Sequence, residues 1–311
     1  MTVVHSQAPG TGTALRPASD PIPYVDLLSL VGETNRCPGG KRTIRRIASR
    51  LGIGPGTRVL EIGSNTGFTS LELAKITGCT AVGIDVSPAA VAEAERKRVS
   101  LPSWIADRVS FSVGDACDIK HDDASFDVIV CGGANTFVQD REAALREYLR
   151  VLRPYGFVSV TNLYYRKAPD QQLLDDLREV LGFEIPPYGL RDWLKVLAPA
   201  EWEIYDLQTT DLVDRPASVV EAYSAALCSA ERLPDLDEVT RLQVKEQWQH
   251  VTSVFNRNHA HLGFMELTLR RNMPGDEEQP ELFLMPGTWD HYFEQGFVAG
   301  PRQTPPTHAG P

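Results

Sequence analysis

The stretch Val59 to Ser70, VLEIGSNTGFTS, decides how this chain is read. A short apolar run carries an acidic residue, breaks at a glycine turn and passes into the start of a helix. Such a turn lets backbone atoms approach a ligand closely, because glycine adds no Cβ and the helix start presents free N–H groups. The pattern recurs. Ala81 to Ile84 is apolar, ends at Asp85, and is followed by Ser87 and Pro88, a capping serine with proline at the first helical position. Two successive strand-turn-helix units predict a parallel sheet with a ligand across the carboxyl ends of its strands.

The residues narrow the ligand. Asp85, at the end of the second strand, is placed to hold a ribose. A dinucleotide fits less well, because Asn65 stands between Gly63 and Gly67 where a middle glycine would admit a pyrophosphate. Glu61, just before the turn, would repel phosphates but suits a positively charged tail. These features together point to a sulfonium amino-acid nucleoside.

The segment resembles motif I of the class I S-adenosylmethionine-dependent methyltransferases, with Glu61, Gly63, Asn65 and Gly67 on the family pattern. Asp85 resembles the acidic residue that binds both ribose hydroxyls. Gly114-Asp115-Ala116 resembles the adenine-binding motif after the third strand. FDVIVCGG, Phe126 to Gly133, looks like the fourth strand, and Leu152-Arg153-Pro154 before Gly156 like the turn into the fifth. The resemblance runs from about Gly52 to Tyr165. It implies S-adenosyl-L-methionine as cofactor, held by Glu61, Gly63, Ser64, Asn65, Gly67, Asp85, Val86, Asp115, Ala116, Gly132 and Phe137. It also implies that a preceding arm with Gly39, Gly40 and Thr43 folds over the cofactor. The implied fold is α/β: a doubly wound, mostly parallel, seven-stranded Rossmann-like sheet.

Outward from this core the chain divides by composition. Residues 1–21 and 300–311 are rich in small residues and proline and are expected to be flexible tails. Residues 22–51 form the arm, with a turn at Pro38-Gly39-Gly40 before a helix bearing Ile44, Ile47 and Leu51 on one side. Residues 52–211 form the cofactor-binding core, with strands near 58–62, 81–84, 109–113, 126–130, 157–161 and 203–207. Helices are expected at 71–75, 91–98, 142–152, 173–181 and 190–197. Two more, at 217–227 and 238–255, fall in residues 212–260, an insertion too long for a hairpin and read as a helical substrate lid. A last strand at 261–269 opens the remaining core segment, 261–299.

Composition limits the partners. With 42% hydrophobic and 23% charged residues in 311, and no apolar run of membrane-spanning length, the chain reads as an ordinary globular enzyme. The N-terminus lacks the basic start and apolar stretch of a signal peptide, so a cytoplasmic location is expected. A formal charge of -10 argues against nucleic acid as substrate. Cys37, Cys79, Cys117, Cys131 and Cys228 match neither a disulfide framework nor a thiolate metal site. The expected partner is a small molecule, with neither nucleic acid nor membrane, and the sequence leaves monomer and homodimer open.

The acceptor side is less legible, since positioning a small molecule requires no fixed spacing. Methyl transfer needs a held nucleophile and, for a protonated acceptor, a base. His250, His259 and His261 are candidates, the last two at strand spacing on one face. Tyr164 and Tyr165, past the fifth strand, are expected to line the acceptor site. The same histidines with Glu266 or His291 would be the ligands of a divalent or ferric ion in an alternative, metal-assisted methylation at carbon, although Glu266 falls on the opposite strand face from His261. Methylation at nitrogen or oxygen of a specialised metabolite, of the kind made in antibiotic biosynthesis, is the leading expectation. An inactive cofactor-binding protein is the remaining alternative.

Overall fold

The computed structural model describes residues 21–271 apart from 35 and 199–201. The expectations for residues 1–20, for 272–311 and for His291 lie outside the described residues. Two helices come first, α1 (Tyr24–Leu30) and α2 (Gly40–Arg50). There follow β1 (Arg58–Ile62), α3 (Phe68–Thr77), β2 (Thr80–Asp85), α4 (Pro88–Val99), α5 (Ser103–Ala106) and β3 (Val109–Val113). The next elements are β4 (Phe126–Cys131), α6 (Arg141–Val151), β5 (Leu152–Tyr165), α7 (Gln171–Leu181) and α8 (Leu190–Leu197). The chain then runs through β6 (Trp202–Asp211), α9 (Ala217–Leu227), α10 (Glu238–His259) and β7 (Leu262–Arg271).

The strands form one seven-stranded sheet in the order β3-β2-β1-β4-β5-β7-β6. All neighbours are parallel except β7, which runs antiparallel to both β5 and β6. Side chains alternate between its faces. Leu60, Ile62, Ile129 and Val160 pack with Leu145 and Tyr148 of α6 and Trp193 and Leu194 of α8. Val59, Ala81, Val128 and Val130 pack on the other face with Ile44 and Ile47 of α2, Leu73 of α3 and Val91 of α4. Each such buried aliphatic side chain contributes roughly 1.5 to 3 kcal/mol relative to exposure. Helix starts follow local chemistry: Ser87 accepts the Ala90 amide, Asp140 that of Ala143, Asp170 that of Leu173 and Asp237 that of Thr240.

Toward β5 and β7 the face under α2 turns polar. Ser159 opposes Thr268 and Thr161 opposes Glu266, and all four are buried. Arg46 of α2 closes this layer with a bidentate pair to Glu266, and Arg50, one turn on, reaches Asp206 of β6 at 2.5 Å. The arm is thereby fixed over the antiparallel end of the sheet by charge.

The insertion between β6 and β7 does not stand alone. Val244, Trp248 and Val251 of α10 share a core with Leu27 and Val31 at α1, and with Cys228 and Leu233 beyond α9. Gln247 exchanges two hydrogen bonds with the backbone of Ile22, and Arg232 donates to the carbonyl of Gly32. Val254 extends the contact to Leu173 and Leu177 of α7. Arm and insertion thus form one helical cover. Among the described residues no helix is long and apolar enough to cross a membrane.

Several expected boundaries change. β5 is longer at both ends than expected, because its backbone pairing with β7 continues from Phe157 to Tyr165, and the expected turn at 152–154 is taken into the strand ahead of Tyr155 at φ 61°. α10 continues past Phe255 to His259, since no glycine or proline interrupts it, and β7 begins only at Leu262. His259 and His261 therefore do not share a strand face: the first ends a helix and the second lies in the following turn. Tyr164, next to Tyr165, is 7% exposed and packs in the sheet core.

Candidate functional site

The loops after β1, β2, β3 and β4 meet along the carboxyl edge of the sheet. The Ser64 amide donates to the Ile84 carbonyl at 2.9 Å, and the Gly114 amide to that of Asp85 at 3.0 Å, so the first three loops are bonded in series. The Asp85 carboxylate accepts the Asn65 amide at 2.8 Å and the Ser87 amide at 2.9 Å. It holds the turn into α3 and the start of α4 in register.

Gly63, at φ 67°, has no room for a side chain: a Cβ there would lie 2.4 Å from that of Ala134, in a short 3-10 turn (Ala134–Thr136) after β4. Gly67 differs in kind, since its Cβ would meet Phe111 at 2.6 Å in the core. The first glycine shapes the ligand edge and the second admits helix packing. Asn65 takes φ 44° and accepts the Thr66 amide on its own side chain.

Glu61 is 3% exposed and accepts two hydrogen bonds from Ser70, by which it ties β1 to the first turns of α3. Burial pushes its carboxyl up to about 7 against the opposing effect of these bonds and of Thr69. Asp115 accepts the Cys117 amide at 2.9 Å, and Ala116 is buried beside it. Val86 and Phe137 are 70% and 60% exposed, and Phe137 meets Phe183 edge-on at 5.5 Å.

The arm covers this edge. Gly132 lies under Cys37, whose Cβ would be 3.1 Å from a Cβ on that glycine. Burial pushes the Cys37 thiol up to about 12, with Glu61 and Glu266 adding to the effect. Gly39, at φ 77°, precedes Gly40, the first residue of α2, and a Cβ on it would strike Thr43 Oγ1 at 2.1 Å.

A network that sequence reading did not anticipate supports the loop after β4. Tyr148 donates to Asn135 Oδ1 at 3.1 Å, Arg141 donates to the carbonyls of Asn135 and Thr136, and Thr136 donates to Asn162 at 3.0 Å. Arg141 also lies 5.4 Å from the ring centroid of Trp193. No spacing rule marks these residues, which come from a loop, a helix and a strand.

Comparison with known proteins identifies the class. A methyltransferase-domain family model matches residues 60–160. Methyltransferase GfsG of Streptomyces halstedii is 34% identical over 131 residues, which cover 42% of this chain and 46% of that protein. O-methyltransferase rstn1 of Aspergillus nomiae NRRL is 30% identical over 158 residues, covering 50% of this chain and 68% of that protein. The chain belongs to the class I S-adenosylmethionine-dependent methyltransferases. Its match thus spans just under half of GfsG and about two thirds of rstn1. A structure of a methyltransferase from Geobacter sulfurreducens, in complex with S-adenosylhomocysteine, superposes with a TM-score of 0.61 at 22% identity, over 79% of this chain and 98% of that one.

The methyltransferase's own residues suit that cofactor. Ser64 Oγ, Thr43 Oγ1, Asn135 Nδ2 and Thr161 Oγ1 are buried without a hydrogen-bond partner, and all lie toward the carboxyl edge or under the arm that covers it. Buried polar atoms of this kind require a partner. Carboxylates at Glu61 and Asp85, with a glycine turn at Gly63 between them, match a molecule carrying an ammonium group at one end and a ribose in the middle.

On the acceptor side the histidines separate. His250 is exposed on α10, with Asp176 of α7 in its electrostatic reach. His259 lies near Asp214 and Arg215, and burial pushes its imidazole down. His261 gives its amide to the Asn258 carbonyl and accepts the Arg166 amide on its own carbonyl, which places it at the end of β5 beside Tyr165. Tyr165 Oη, Asn258 Oδ1 and His261 Nδ1 are all buried and unpartnered. Among the described residues no three His, Cys, Asp or Glu converge as metal ligands, so His250, His259, His261 and Glu266 do not form the set the metal reading needs. Glu266 is instead engaged by Arg46.

Proposed function

We propose that this methyltransferase methylates nitrogen or oxygen of a small specialised metabolite, bound between the carboxyl edge of the sheet and the cover made by α1, α9 and α10. The observation that carries the reading is the junction at that edge, where Gly63 leaves no side chain at the start of a turn flanked by the Glu61 and Asp85 carboxylates. S-adenosylmethionine, when bound, supplies the methyl group already activated on a sulfonium sulfur. The chain's task is then to bind, orient and exclude water.

Asp85 is assigned the ribose hydroxyls and Glu61 the charged tail. Gly63, Ser64, Asn65, Gly67, Val86, Asp115, Ala116, Gly132 and Phe137 are assigned to the walls of that site. Gly39, Gly40 and Thr43 are assigned to its cover. Tyr165 and His261, with unpartnered atoms at the end of β5, are assigned to the acceptor's polar groups, and residues 212–260 to the acceptor lid. Calorimetry tests the reading: S-adenosylmethionine and S-adenosylhomocysteine should bind and NAD should not. Equal binding of NAD would refute it.

A further inference from the structure

The seam between arm and lid carries an ionisable constellation that the cofactor site does not use. Tyr223 of α9 donates its phenol proton to the carboxylate of Glu33, in the loop between α1 and α2. Burial, with the Glu33 charge beside it, pushes this phenol up, whereas the nearby Arg36 guanidinium works in the opposite direction. Arg36 Cζ sits 5.4 Å from the ring centroid of Phe68, the residue that follows Gly67 in the motif I turn. The next residue along the arm, Cys37, packs on Gly132 at the end of β4. The constellation therefore stands over the carboxyl ends of the strands that bear the cofactor residues. Tyr223 remains 42% exposed.

We propose that Tyr223, Glu33 and Arg36 form the site that takes the acceptor's reacting hydroxyl, so that the acceptor is an alcohol or phenol rather than an amine. The acceptor O–H donates to Tyr223 Oη. As that O–H bond breaks, Tyr223 gains the proton and yields its own to Glu33, which becomes neutral. The acceptor oxygen keeps the electron pair as an oxyanion beside Arg36, and net charge is unchanged. A guanidinium at this place favours a developing oxyanion and repels an ammonium, which is why the pair selects oxygen. This inference rests on the methyltransferase reading and deepens it.

The test uses 4-nitrophenol, whose phenolate absorbs visible light, with protein saturated in S-adenosylhomocysteine at mildly acidic pH. The expected result is a saturable rise in phenolate absorbance. Tyr223→Phe, Arg36→Gln and Glu33→Gln should each weaken probe binding about tenfold or more while S-adenosylhomocysteine still binds. Arg96→Ala, which removes an exposed ion pair with Glu93 on α4, should leave the probe's affinity within about twofold. No saturable binding, binding without the absorbance rise, or an equal loss in Arg96→Ala would overturn the proposal and reduce the Tyr223–Glu33 contact to a staple between helices. Failure of S-adenosylhomocysteine to bind the unaltered protein would instead overturn the cofactor assignment.

Discussion

Glu61 accepts the Ser70 amide at 2.9 Å and the Ser70 hydroxyl at 2.5 Å, so one buried carboxylate both closes the turn of motif I and starts the packing of α3 on β1. Its carboxyl stands near 7 in the folded protein, against an ordinary value near 4.5. Between these values the unfolded chain has lost the proton and the folded chain keeps it, so stability falls as pH rises through the window and is level above it.

The first prediction follows from that sign. Between about pH 4 and about pH 8 the unliganded protein should lose on the order of 3 kcal/mol of stability from this group, and Glu61→Gln should remove that slope. Denaturant titrations at several pH values read both. The same variant should bind S-adenosylmethionine about tenfold more weakly, because a neutral amide replaces a charge-assisted bond to the ligand's tail. An unchanged slope would show that Glu61 is not the group responsible.

Asp85→Ala should separate folding from binding. The substitution removes the acceptor of the Asn65 and Ser87 amides, costing about 1 to 2 kcal/mol of stability. Loss of the proposed ribose bonds should cost a further 2 to 4 kcal/mol, roughly, in S-adenosylhomocysteine affinity. Thermal unfolding and calorimetry measure the two effects, and intact affinity in a folded variant would remove Asp85 from the cofactor site.

Gly63 offers a reciprocal test. Gly63→Ala places a Cβ against that of Ala134, and should destabilise the protein by about 1 to 3 kcal/mol and impair cofactor binding. Adding Ala134→Gly should recover part of the stability, because it removes the clashing atom while the positive φ at residue 63 persists. Strictly additive losses would show that the two loops do not touch in solution.

Trp248 tests the unity of the cover. It is 3% exposed where α10 meets α1, and Trp248→Ala should cost about 3 to 5 kcal/mol. Hydrogen exchange should then accelerate together in α1, α9 and α10, while β1, β4 and β5 keep their protection. Acceleration in α10 alone would mean that arm and lid open independently.

Much of the cofactor half was legible because its chemistry is local. Glu61, Gly63 and Asn65 lie within five positions of one another, Asp85 ends the apolar strand β2 and Asp115 lies two residues past β3, so spacing along the chain already encodes spacing at the edge. The insertion between β6 and β7 was legible for a similar reason, since a hairpin cannot absorb residues 212–260. The histidine pair misled because a two-residue spacing means one face only on a strand, and α10 runs to His259 before the strand begins.

By itself, then, the sequence determined the order of the seven strands and the helices between them apart from α1 and α5, the acidic and glycine positions of the turns, and the class of ligand they suit. Only the tertiary structure decided that arm and lid share one core, that Arg46 meets Glu266 across 220 positions, and that Tyr223 meets Glu33 across 190. The reason is physical. A turn or a cap is specified by neighbours in the chain, but which buried charge finds which partner depends on how separate elements pack, and no periodicity records that choice.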